Sequence, residues 1–483
     1  MLAWQVIFIL PAALWAFFHQ LLILKTNAMA KTKVKKQNTK SKRIKSTKAT
    51  LERIRLKAAG VDIGSSEIFI AILDMPVISF ETFTCGIVLA IKYLKDHQIT
   101  TVAMEATGIY WLPIYEMFDQ AGIEVYVVNG GHVKNVPGRK TDVLDSEWLR
   151  ELHTFGLVRS SFIPDEEIRK LRYFMRLRKD HITMGASHIQ HIQKNMDTMN
   201  IKLHNVISNI MGVSGLKIIR AILAGERSAI KLMELCNEVI KGKKREEVIK
   251  SLEGNYKPEC IFGMQQALEM WEMYQNKIQE CDKEIGELLE KMTQDKPTPA
   301  ELSKPKQINS HKPDIADLHL LMMKLTGEND ATRIAGINDY SLLQLISEIG
   351  LDLTRWPTSN HFVSWLDLAP PMHQSGKSKR QRRIKRPNNA GQIFRELAKN
   401  VGNGKHNALV GFFRRLKSRS GAKVATKATA RKIAVYYYNL MTKGIKFVAE
   451  GIAQYEERYK EQMLKSLTKR AKDMGLKLVP IAA

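Results

Sequence analysis

Four acidic residues stand in an order and context that suit metal-assisted phosphate chemistry. Asp62 lies in "AAGVDIGSSEIFIAILD", Glu105 in "TTVAMEATGIYW", and Asp142 and Asp145 in "GRKTDVLDSEWL". The first two each end a short run rich in Val and Ile, the pattern of a buried strand. The last two are three residues apart in a helical segment, so their carboxylates face one side. Carboxylates gathered at strand ends hold divalent cations against phosphate oxygens. Two such ions about 3.5–4 Å apart can stabilise both the attacking and the leaving oxygen of an in-line displacement. Any one of these acids alone reads as a surface residue or a helix cap; the set of four does not.

A second candidate is Ser375, in "PPMHQSGKSKRQRRIKR". It follows a Pro-Pro pair and precedes Gly376, which places its hydroxyl on an exposed loop. Serine becomes a nucleophile only when something takes its proton and positions the electrophile. Lys377, Lys379 and Arg380 follow directly and could hold a phosphodiester. His373 is near, but no Ser-His-Asp arrangement is evident. By composition alone, a Ser-Gly in a basic loop is a turn.

The elements that must position these residues follow from hydrophobic period. After a basic arm, residues 58–165 alternate strands and helices: a hairpin from "GVDIG" and "EIFIAILD", a helix around Ile87–Asp96, the strand "TTVAMEAT", a helix from Leu112, and the strand "IEVYVVN". That is the order of a mixed α/β sheet with helices on its faces. Residues 166–292 are helical and charged. Leu268, Trp271, Gln275, Ile278, Asp282, Ile285 and Leu289 approach a heptad register with polar interruptions, the mark of a bundle or coiled-coil arm suited to dimerisation. His188 and His191 read as ordinary helix residues. Residues 293–325 hold four prolines among Lys, Ser and Gln and read as a linker. A C-terminal domain over 326–445 opens with "ATRIAGINDYSLLQLISEIGLDL", which reads as helix, Gly-containing turn, helix. It resembles a helix-hairpin-helix, and an ordinary αα-hairpin reads the same way. A helix follows from Gln392, and residues 446–483 form a helical tail.

Charge points to the partner. The 483 residues carry a formal charge of +26, with twelve Lys or Arg against one acid in 29–57 and seven basic residues in the ten from 377 to 386. Basic side chains placed near phosphates release counterions, so this clustering favours a polyanion, nucleic acid in the first place, over a merely solvated basic surface or an attraction to anionic lipid. Cys85, Cys236, Cys260 and Cys281 are far apart and form no C-x-x-C pair, which indicates neither a disulfide framework nor a zinc site and fits a reducing compartment. Residues 1–28 begin with a hydrophobic stretch interrupted by Gln5, Pro11, His19 and Gln20 and lacking a positive n-region. They read as an upstream over-extension of the reading frame, with Met29 opening the basic arm, in preference to a membrane anchor, for which the stretch is long enough.

With these features together, the chain resembles the IS110-type transposases from about Ala58 onward, interrupted near 225–325. The "RKTDVLD" and "LAPPMHQSG" contexts carry the resemblance jointly, and "LTKRAKDMGLKLVP" resembles the family's C-terminal helix. The resemblance implies an RNase H/RuvC-like α/β domain with a DEDD set, a helical or coiled-coil middle, and a mostly α C-terminal domain with a catalytic serine. Carried over by motif, the catalytic residues are Asp62, Glu105, Asp142, Asp145 and Ser375, the four acids holding Mg²⁺ or, in its place, Mn²⁺. Arg139, Lys140, Lys377, Lys379, Arg380, Arg382, Arg383, Lys385 and Arg386 would hold nucleic acid. The implied partners are DNA, an element-encoded guide RNA and a second copy of the chain, in a prokaryotic cytoplasm. Departures are "KRPNNAGQIFREL", where Pro387 precedes Asn388 and Asn389 in place of a Lys-x-Gly-Asn segment, and "IAGINDYS", which lacks a second glycine. Two other readings stay open. One is a RuvC-like endonuclease that hydrolyses DNA and leaves Ser375 a turn residue; the other is a non-catalytic nucleic-acid-binding relic.

Overall fold

The computed structural model describes residues 52–130, 142–327, 329–370, 373–375, 378–380, 388–404, 407–477 and 479. The hydrophobic stretch and most of the basic arm lie outside them. The chain divides into two compact units, Met1–Ser161 and Phe162–Ala483.

In the first unit five apolar runs form one sheet. The strands are β1 (Ala58–Ile63), β2 (Glu67–Ile72), β3 (Ile78–Glu81), β4 (Thr101–Glu105) and β5 (Glu124–Val128), with helices α1 (Thr84–Asp96), α2 (Trp111–Gln120) and α3 (Asp142–Thr154). The sheet order is β3-β2-β1-β4-β5. β1, β2 and β3 pair antiparallel as hairpins, and β4 and β5 add parallel to β1. Parallel neighbours need a crossover, and α1 and α2 supply the two that are required. The strand centres are apolar and buried, with Val61, Ile68, Ile70, Val102 and Met104 each at 0% exposure. β3 is the strand that sequence period does not reveal, because "ISFE" is short and mostly exposed at a sheet edge.

The second unit is helical. Two long helices, α4 (Glu166–Thr198) and α9 (Pro258–Thr293), flank α5 (Leu203–Val206), α6 (Val213–Leu223), α7 (Ala229–Met233) and α8 (Glu238–Ser251). α4 starts where Asp165 accepts from the Ile168 amide, and α9 has Pro258 in its first turn, both favourable helix starts. They run antiparallel: Glu167 pairs with Lys291, Arg178 with Asp282, and Gly185 lies against Trp271 and Tyr274. The heptad partner of α9 is therefore a helix of the same chain. Its polar interruption at Asp282 is an ion pair with Arg178, the two side chains being 3% and 1% exposed. At the far end of this pair the short helices close a core of their own around Ile192, Met196, Ile218, Ile219, Ile222 and Met264.

The larger core lies at the other end. It is built by α10 (Leu318–Thr326), a 3-10 turn (Ala331–Arg333), α11 (Asp339–Ile349), α12 (Ser359–Trp365), α13 (Asn389–Gly402), α14 (Ala408–Ser420), α15 (Ala422–Lys443) and α16 (Ile445–Asp473), with the ends of α4 and α9. The strands β6 (His373–Ser375) and β7 (Ser378–Arg380) fall between α12 and α13 in sequence. The stretch 293–325, expected as a linker, ends inside this core, with Leu318, Leu321, Met322, Met323 and Leu325 buried. Its prolines all precede Leu318, so the apolar "LHLLMMKL" run is free to form a helix. The helix-turn-helix expected over "ATRIAGINDYSLLQLISEIGLDL" is corrected in its first half: only the 3-10 turn Ala331–Arg333 forms there, because Gly336 (φ +90) follows three residues later, while Asn338 and Ser341 form a capping box for α11 as the second helix. No helix among the described residues is long and apolar enough to cross a membrane.

Candidate acidic site and serine hairpin

The parallel register of β1 and β4 brings the two strand acids together. Gly60 pairs with Ala103 and Val61 with Met104. One residue further, Asp62 and Glu105 stand level on neighbouring strands. In-register residues of parallel strands point to the same face, and the strands lie about 4.8 Å apart. Both acids are half-buried where the flanking apolar residues are fully buried.

The helix α3 covers that face. A Cβ on Gly60 would lie 2.1 Å from the Ser146 carbonyl oxygen and 2.4 Å from the Arg150 nitrogen, so the helix backbone rests directly on β1. Gly60 and Asp62 share a face because side chains alternate along a strand. The buried stripe of α3 holds Ser146, Leu149 and His153. Asp145 precedes Leu149 by one turn on that stripe and is half-buried. Asp142 begins the helix, three residues before Asp145. The fold therefore brings Asp62, Glu105 and the start of α3 to one end of the sheet.

Glu105 occupies space that a side chain would otherwise fill. A Cβ on Gly130 would lie 2.1 Å from Glu105 Oε1. This glycine follows β5, and its pairing with Glu105 across the sheet end is invisible in sequence; only the "NGG" after an apolar run hints at it.

Farther along the same helix stripe, His153 is fully buried between strands. Its Nε2 lies 3.0 Å from Thr101 Oγ1, and its ring packs 4.7 Å from that of Tyr126. Burial, and secondarily the charge of Arg55, push its pKa down from 6.5 to about 4. It is a neutral packing residue rather than part of the acid cluster.

The donor chemistry at the sheet end fits a hard divalent cation, since every candidate ligand is a carboxylate. Among the described residues, no three or more His, Cys, Asp or Glu side chains are close enough to hold a metal ion, and the Asp142 side chain lies outside that description.

Ser375 ends β6 and pairs with Ser378 of β7, with Gln374 opposite Lys379 and His373 opposite Arg380. The serine expected on a loop is thus the last paired residue of a small hairpin, with two residues between it and its partner. Lys379 and Arg380 lie on the second strand; Arg139, Lys140, Lys377, Arg382, Arg383, Lys385 and Arg386 lie outside the described residues. Of the departure at "RPNNAG", Arg386 and Pro387 lie outside the described residues and the segment is described from Asn388 onward. Asn388 caps α13, accepting from the Gly391 amide at 3.1 Å and donating to the Trp365 carbonyl at 3.1 Å.

Two sequence families match the chain: the IS110 DEDD transposase domain over residues 59–201, and the transposase IS116/IS110/IS902 family over residues 329–398. No curated protein matches it. The first match spans all four acids and the second spans Ser375, in the order that the sequence presents them. The chain is a member of the IS110 family of transposases.

Proposed function

We propose that this transposase cuts and rejoins DNA strands with an acidic quartet in its first unit and a serine nucleophile in its second. The observation that carries the reading is the register of β1 and β4, which sets Asp62 beside Glu105 under the helix that bears Asp142 and Asp145. The sheet order, three antiparallel strands followed by two parallel ones, agrees with an RNase H/RuvC-like domain.

Asp62, Glu105, Asp142 and Asp145 would hold Mg²⁺, with Mn²⁺ as a substitute. A cation bound there supplies electrophilic activation of a scissile phosphate. The chain's own residues do the rest. The half-buried strand acids are fixed by the sheet, so they would hold the cation that faces the phosphate without reorganising. Lys379 and Arg380, with Arg139, Lys140, Lys377, Arg382, Arg383, Lys385 and Arg386, hold the DNA backbone by charge. The Ser375 oxygen bonds to phosphorus and displaces a deoxyribose oxygen, which takes up a proton. The strand is then linked through phosphoserine, and attack by a deoxyribose hydroxyl from a second duplex releases the serine, without net hydrolysis. A second copy of the chain supplies the serine, and an element-encoded RNA supplies target choice by base pairing.

The test is a strand-cleavage assay on element-junction DNA with RNA transcribed from the element flank, using the full chain. Mg²⁺-dependent cutting that falls at least about a hundredfold in Asp62→Ala and Glu105→Gln is expected, the scale of losing one preorganised transition-state interaction. Cutting that persists in both variants would overturn the assignment of the acids. Cutting that needs the acids but survives Ser375→Ala would make the enzyme a hydrolytic nuclease.

A further inference from the structure

The segment leaving Glu105 carries apolar side chains where a surface loop would be polar. Ile109 is 81% exposed, the most exposed large apolar side chain among the described residues, and Tyr110 beside it is 50% exposed. Neither is on a loose loop. The Thr107 amide donates to the Glu105 carbonyl at 2.9 Å, the Tyr110 amide to the Thr107 carbonyl at 3.2 Å, and the Ala106 amide to Val128 of β5 at 3.0 Å. Gly108 takes a left-handed turn (φ +55), and a Cβ there would sit 3.6 Å from the Tyr110 ring. α2 follows at once and is anchored by the buried Ile114 and Phe118. A tight, hydrogen-bonded turn thus presents an aliphatic and an aromatic side chain from the backbone that carries Glu105.

We propose that Ile109 and Tyr110 form a stacking platform for an unstacked nucleobase of the strand whose phosphate lies at Asp62 and Glu105. This rests on the reading of the acids as the strand-cutting site. An enzyme that opens a strand must hold the exposed base, and an aromatic face does so whatever the base is. An aliphatic wedge beside the ring separates neighbouring bases, as apolar side chains do when they enter a base step. The turn fixes the platform to the acid that it adjoins: ends of such a turn lie less than about 7 Å apart, so Tyr110 cannot stray from Thr107. Tyr110 is a positioning residue; it sets where the strand lies, not the bond chemistry.

The experiment uses the full chain and element-junction DNA carrying 2-aminopurine at each nucleotide flanking the cut, in wild type, Tyr110→Ala, Tyr110→Phe, Ile109→Ala and Asp62→Ala. Binding should quench the 2-aminopurine at one flanking position in wild type and Tyr110→Phe but not in Tyr110→Ala. Strand cutting should fall about ten- to a hundredfold in Tyr110→Ala, matching the loss of one base–aromatic stack, and stay within about threefold in Tyr110→Phe. Ile109→Ala should weaken the same quench without moving its position. Equal quenching in wild type and Tyr110→Ala, or no quenching in a wild type that cuts the DNA, overturns the proposal. Cutting that survives Asp62→Ala instead refutes the acidic site, whatever the quenching shows.

Discussion

At the scale of single residues, the site depends on side chains that are absent as much as on those present. Gly130→Ala would drive a methyl into the Glu105 carboxylate, with 2.1 Å between the new carbon and Oε1. A circular dichroism spectrum like that of the wild type, with strand cutting down about tenfold or more, is the expected outcome, because a small misplacement at a reacting centre is amplified in rate. Gly60→Ala meets helix backbone instead of a movable side chain. It should destabilise the first unit by about 1–3 kcal/mol or more in urea unfolding, as overpacked cores do. His153 gives a pH signature. Its folded pKa of about 4 lies below the ordinary 6.5, so the folded state favours the neutral ring. Its contribution to stability is therefore present above pH 6.5 and is lost as pH falls towards 4. Its Nδ1 meets no hydrogen-bond partner among the described residues, so a proton there would be a buried unpaired donor. The urea midpoint should fall between pH 7 and pH 5, and fall less in His153→Gln. The four acids were legible because each sits at the end of an apolar run or on a helical spacing. Gly60 and Gly130 were not, since the atoms that exclude a side chain there come from residues distant in sequence.

At the scale of elements, period was a good guide to which segments form strands and helices and a poor guide to what they pack against. The strands bearing Asp62 and Glu105 could be read from Val and Ile runs, but the register that aligns them comes from β1 and β4 pairing across an intervening helix. The heptad of α9 implied a partner without naming it. The partner is α4, and the feature that fixes their alignment is the buried pair of Arg178 and Asp282, with Tyr340 Oη 3.0 Å from Arg178 and the Asp314 amide 3.1 Å from Asp282. These partners satisfy both charges far from water. Removing one member leaves the other buried and unpaired, which costs about 3–5 kcal/mol. Arg178→Met should destabilise the second unit by that amount in urea unfolding. Arg178→Met with Asp282→Leu should recover much of the loss, a coupling that a double-mutant cycle measures directly. The linker expected over 293–325 failed as a reading of its last eight residues because proline content outweighed the apolar run that follows Pro313. Ser375 shows the same limit: "QSGKS" reads as a turn, and the structure adds strand pairing on both sides of it.

At the scale of the whole molecule, the charge of +26 sets the terms of DNA binding. Twelve of the basic residues fall in 29–57, so deleting that arm should flatten the dependence of binding on salt. The slope of log K against log salt, read by fluorescence anisotropy, should decrease in magnitude by about two or more, at roughly 0.9 for each phosphate that the arm no longer neutralises. An unchanged slope would mean that the arm does not touch nucleic acid. The four acids lie in the first unit and Ser375 in the second, so the proposed serine-mediated exchange calls on residues from both, each testable by its own substitution. The measurement that tests this most directly is a denaturing gel for a covalent protein–DNA adduct, formed with Mg²⁺, element-junction DNA and RNA from the element flank. An adduct that vanishes in Ser375→Ala, and separately in Asp62→Ala, is the predicted result. An adduct that persists in Ser375→Ala, or cleaved DNA with no adduct in the wild type, would contradict serine-mediated exchange.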